Sequence, residues 1–204
     1  MNRSFLTLTP VILTVLPCLI SAAHAEPAVH PAAVKSFDVG GVKTGMSVEQ
    51  ARAAMAKNFS VSADNITATK SGTGHVAYTV TGSEQVLYLV YENQGTRMQV
   101  SFEPRIPFDR SNPMAAALIT YEIPWTKDNE TAMKDAALTK YGTVSAAGMY
   151  PLWCEKPLPG TGMGCAPDSA RLEVAGTKIT LTDPAWQAAR ISYMNHQNAT
   201  RPQF

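Results

Sequence analysis

The chain predicts an α+β fold of one or two units, each a helix on an antiparallel sheet, closed by one disulfide. Three observations point there. A capped amphipathic helix is followed by strand-rich text over residues 75–125. A second amphipathic helix is followed by a further hairpin pattern. Two cysteines remain once an N-terminal export signal is set aside.

The first residues have the three parts of a secretory signal peptide. Arg3 supplies the positive charge, Phe5 to Ile20 form an apolar run broken by Pro10 and Pro17, and Ala23-His24-Ala25 makes an A-x-A cleavage site. The run is too interrupted for a membrane span, which needs about 20 apolar residues. Cys18 follows Pro17, where a lipidation motif requires a small residue, so no lipid anchor is expected. Cleavage after Ala25 leaves a mature chain beginning at Glu26, with a periplasmic or secreted destination and no membrane anchor. Loss of Arg3 reduces the 17 basic residues to 16, against 16 acidic ones. A chain so balanced, with no basic stripe, excludes nucleic acid and anionic membrane as partners.

Residues 26–36 read as a flexible stub, 37–125 as the first helix-plus-sheet unit and 126–204 as the second. In the first, Ser47 and Gln50 form a capping box. Val48, Ala51, Met55 and Phe59 then share one face of a helix over 47–58. Strand signals follow in HVAYTVTG (75–82), where Val76, Tyr78 and Val80 alternate, in QVLYLVY (85–91) and in RMQVSFE (97–103). Glu92 to Gly95 joins the last two as a hairpin. ALITYEIPW (117–125) continues the sheet. The intervening segment 103–113 carries three prolines, which bar a regular central strand.

In the second unit, Asp128 or Asn129 can cap a helix whose apolar side is Met133, Ala137, Leu138 and Tyr141, with Gly142 ending it. Leu172 and Val174, then Ile179 and Leu181, flank the turn Ala175-Gly176-Thr177. Asp183-Pro184 opens a last short helix. AAMAK (53–57) and AALTK (136–140) align, as a tandem duplication of the unit would produce.

Cys154 and Cys165 bracket a loop rich in Pro and Gly, and in an oxidising compartment such a pair reads as a disulfide. Closing so short a loop stabilises by about 2–3 kcal/mol in the chain-entropy treatment. The competing readings lack partners. A structural zinc site requires four ligands at short spacings, whereas His30, His75 and His196 are scattered. A redox centre favours C-x-x-C. Met149 and Met163 beside the pair suit soft-metal binding, but methionines within apolar patterns serve as core filler. No metal or cofactor is expected.

GVKTGMSVEQARAAM (41–55) resembles the opening of the small periplasmic domains typified by the outer-membrane assembly lipoprotein BamE (SmpA/OmlA). Gly45, Met46, Ser47, Glu49, Gln50 and Ala51 match its helix-start pattern. ALTKYGTVS (137–145) is similar to that family's helix ending, with Thr143-Val144 where proline is usual. A tandem pair of such units would be similar to the β-lactamase-inhibitor protein. The resemblance covers about 35 residues and implies a binding scaffold of the cell envelope, with no catalytic residue among the matched positions.

The sequence holds no G-x-S-x-G, H-E-x-x-H, S-x-x-K or C-x-x-C. GTGMG (160–164) precedes neither a helix nor a Lys-Ser/Thr pair and reads as a loop. His75 and His196 have no visible nucleophile or carboxylate tied to them. Two candidate contact surfaces remain. One is the proline-rich segment with Arg105, Phe108 and Arg110, residue types that dominate interface energetics. The other is the stapled loop with Trp153 and Lys156. The expectation is a non-catalytic periplasmic module that binds another envelope or periplasmic protein. The alternative is a small hydrolase or small-ligand carrier whose site is assembled only in three dimensions. A shallow apolar patch favours the first, and a cleft with converging polar groups favours the second.

Overall fold

A computed structural model describes residues 31–145, 149–159, 164–197 and 199. The expected signal peptide, residues 26–30 and most of GTGMG lie outside the described residues. The fold is α+β, four helices on a seven-stranded antiparallel sheet among the described residues, with the Cys154–Cys165 disulfide formed at a Cα separation of 5.3 Å.

Helix α1 (Val48–Phe59) starts as the sequence predicts. Ser47 Oγ accepts from the Gln50 N–H, and Gln50 Oε1 accepts from the Ser47 N–H. Strand β1 (Thr67–Lys70) is short and polar. Strands β2 (Val86–Asn93) and β3 (Thr96–Pro104) form the expected hairpin, turning at Gln94-Gly95. Gly95 is required there: its φ is +78°, and a Cβ would stand 2.8 Å from the Pro124 ring. Strand β4 (Met114–Glu122) precedes helix α3 (Lys127–Tyr141). Strand β5 (Leu152–Cys154), the hairpin β6 (Arg171–Ala175) and β7 (Lys178–Thr182), and helix α4 (Ala185–Gln197) complete the chain.

The strands lie in the order β1-β2-β3-β4-β7-β6-β5. Segment 37–125 contributes β1–β4 and segment 126–204 contributes β5–β7. They join where Leu118–Glu122 pairs antiparallel with Lys178–Thr182. One face of the sheet is apolar, because strand residues alternate sides. Leu89, Met98, Val100, Ile119, Leu181, Leu172 and Trp153 are buried on it together with Met55 of α1 and Met133 and Ala137 of α3.

Two local expectations change, and two strands appear that the sequence did not announce. Residues 76–81 are a helix, α2 (Val76–Thr81), and not a strand. The Val76/Tyr78/Val80 alternation is outweighed by local capping. His75 Nδ1 accepts from the Ala77 N–H, Gly82 closes the far end at φ +73°, and Thr81 Oγ1 donates to the Ala77 carbonyl. Ala77 and Val80, three apart, are the buried pair, as helical geometry requires. Helix α3 is capped by Thr126, whose Oγ1 accepts from the Asn129 N–H, and not by Asp128 or Asn129. Strands β1 and β5 carry no alternation long enough to read from sequence.

The described part of the stub, 31–36, is packed onto the sheet edge. Val34 is fully buried, the Ala32 N–H donates to the Cys154 carbonyl at 2.8 Å, and Lys35 lies 3.6 Å from Glu155. This segment covers the outer edge of β5, where Ser145 N–H also donates to the Leu152 carbonyl. A sheet edge is thereby withdrawn from intermolecular pairing.

Candidate functional site

The second face of the sheet is polar. Tyr88, Gln99, Ser101, Glu103, Leu118, Thr182 and Arg171 succeed one another across β2, β3, β4, β7 and β6. Two helices stand on this face at one end and leave a cleft of about 560 Å³ between them. His75, Val76 and Ala77 of the α2 end form one wall. Pro184, Gln187 and Arg190 of the α4 end form the other.

A bulge in β4 sets this arrangement. The register shifts between Ser101 and Phe102, so that Ala117 is the extra residue. The Ala117 carbonyl accepts from the Asp183 N–H at 2.9 Å, and Ala116 exchanges bonds with Gly45 and Met46. Asp183 in turn accepts the Ala185 N–H on Oδ1 at 3.1 Å, which fixes the start of α4 at the rim. Arg190, one further turn along α4, donates from Nε to Glu103 of β3 at 2.6 Å. Both side chains of that pair are about four-fifths buried (18% and 20% exposed), so it clamps the helix to the sheet.

Most polar groups in the cleft therefore have protein partners. Asp183 caps α4, Glu103 holds Arg190, Ser101 accepts from Gln99 at 3.4 Å, and His75 Nδ1 is occupied by the Ala77 N–H. That bond leaves Nε2 as the donor nitrogen of a neutral His75 imidazole. Arg171 differs. It is half-buried, it lines the cleft, and it joins none of the described ion pairs or side-chain hydrogen bonds.

The surfaces anticipated from sequence are redistributed. Trp153 is fully buried, donates Nε1–H to the Gly142 carbonyl at 3.1 Å and meets Tyr141 edge-on at 5.7 Å between centroids. It is a core plug and is unavailable to a partner. Arg105 is also turned to internal use. Its guanidinium donates to the Gly45 carbonyl and lies 5.2 Å from the Trp186 ring centre, bracing the 105–113 loop against α4. Phe108 and Arg110 do stand outward on that loop, Phe108 being 39% exposed. Lys156 is exposed and sits 4.0 Å from Asp168, a pair so solvated that it contributes little.

None of the cleft-lining positions was singled out for binding by the sequence. Tyr88, Gln99, Ser101 and Arg171 occupy the polar half of alternating strands, where the pattern records only that they avoid the core. No helix among the described residues is long and apolar enough to cross a membrane. No group of three or more His, Cys, Asp or Glu among them is placed to hold a metal ion. Comparison with family models, with curated proteins and with solved structures returned no match to this chain.

Proposed function

We propose that the chain is a non-catalytic binding protein of the cell envelope, and that the cleft between α2 and α4 receives a small ligand. The observation that carries this reading is the cleft itself, of about 560 Å³, in which a sheet and two helices bring polar groups together over a partly apolar floor. Such a volume suits a small molecule. Its two carboxylates, His75 Nδ1 and Ser101 serve helix caps, a clamp and a side-chain pair, which favours holding a ligand over converting one. The export signal read at 1–25, the disulfide and the helix-start resemblance at 41–55 support the periplasmic setting.

Nuclear magnetic resonance of the ¹⁵N-labelled protein against a library of small polar metabolites tests the reading. Saturable shifts should cluster at Tyr88, Gln99, Ser101, Thr182 and Gln187. Shifts scattered elsewhere, or none across the library, would remove the cleft as a ligand site.

A second reading, a protein partner in the envelope, is favoured by the outward Phe108 and Arg110 on a loop braced at both ends by Arg105. Bracing lowers the entropy lost on association. Crosslinking in cells from position 108, with mass spectrometry of the products, should capture one recurrent partner. Only diffuse products would count against this second surface.

A further inference from the structure

We propose that the ligand of the cleft is a carboxylate monoanion carrying a small apolar body, with Arg171 as its charge anchor. This rests on the cleft being a ligand site and names the chemistry that the site selects.

The arginines of the described chain are otherwise engaged or solvated. Arg52 donates to the Ala63 and Ile66 carbonyls, Arg97 to Gln99, Arg105 to Gly45 and Arg190 to Glu103, while Arg110 is exposed. Arg171 is half-buried without such a partner among the described residues. Its backbone is fixed between two strands, paired with Cys154 on one side and Thr182 on the other. A guanidinium so placed keeps water on its donors, and a planar carboxylate can take two of them at once.

Charge and lining narrow the class. Glu103 and Arg190 offset one another at 2.6 Å, and Asp183 remains as a fixed negative group at the α4 start. One uncommitted cation beside one carboxylate suits a monoanion and disfavours a phosphate dianion. Val76, Leu87, Phe102, Leu118 and Pro184 supply apolar surface for the body.

The test is titration of the ¹⁵N-labelled protein with phenylacetate, phenylacetamide and inorganic phosphate, repeated with Arg171→Gln and Arg171→Lys. Phenylacetate should shift the amides of Arg171, Thr182 and Tyr88, and should bind about tenfold or more tightly than phenylacetamide, the scale of a charge-assisted pair. Arg171→Gln should lose that preference, Arg171→Lys should keep part of it, and phosphate should bind no better than the amide. Equal binding of acid and amide within the cleft would overturn the anion inference and leave the cleft reading standing. Shifts confined to other surfaces, or none from either phenyl compound, would overturn both. The acid–amide comparison in the unmodified protein decides the inference even if a variant fails to fold.

Discussion

Trp153 shows how burial redirects a residue type. In sequence it is an aromatic beside a stapled loop, yet its indole fills the space between β5 and α3. Trp153→Ala should cost about 3–5 kcal/mol, the range for removing a large buried aromatic. Phe108→Ala with Arg110→Ala should stay within about 0.5 kcal/mol apiece, and urea denaturation distinguishes the two cases. Asp38 makes a different residue-scale point. Partial burial alone would raise its pKa, but the Lys140 ammonium at 2.7 Å, the Gly41 N–H at 2.8 Å and the charge of Lys43 together hold it below the ordinary value of 3.8. A carboxylate depressed in the folded state contributes stability above its unfolded pKa and loses it as pH falls through the folded one. Stability should therefore drop on acidification below about pH 4, and the drop should be smaller in Asp38→Asn, as denaturation midpoints measured across pH will show.

Helix α2 and the cysteine loop are informative at the level of the element. Six residues with alternating Val, Tyr and Val match a strand template better than a helical one. The outcome turned on His75, Gly82 and two threonines, each satisfying a backbone or side-chain group within one turn. Local hydrogen bonding thus overrode a pattern that short segments cannot make decisive. As a helix on the polar face, α2 contributes His75, Val76 and Ala77 to one wall of the cleft. The stapled loop conforms to expectation: Cys154 is fully buried and pairs with Cys165, next to a small bridge between Pro157 and Cys165. Replacing both cysteines with serine should cost about 2–3 kcal/mol, read as a fall in the urea midpoint. The native thiols should resist alkylation until the protein is reduced.

The molecule as a whole is organised by the seam between β4 and β7. Five residue pairs there, from Leu118–Thr182 to Glu122–Lys178, carry one sheet from segment 37–125 into segment 126–204, and Ile119 and Leu181 sit at its buried centre. A shared core of this kind unfolds as a unit. Heating should give one transition in far- and near-ultraviolet circular dichroism with a common midpoint; two separated midpoints would show independent halves. Sequence by itself determined the α+β class, the capping box of α1, the two hairpins and the disulfide pair. Each depends on neighbours in the chain or on a pairing with a single partner available. Tertiary structure alone decided that β7 pairs with β4, that 31–36 covers β5, that Trp153 points inward, and that His75, Tyr88, Arg171 and Gln187 share a cleft. Those residues come from separate elements, and a polar strand face shows the same alternation whether it meets bulk water or a ligand.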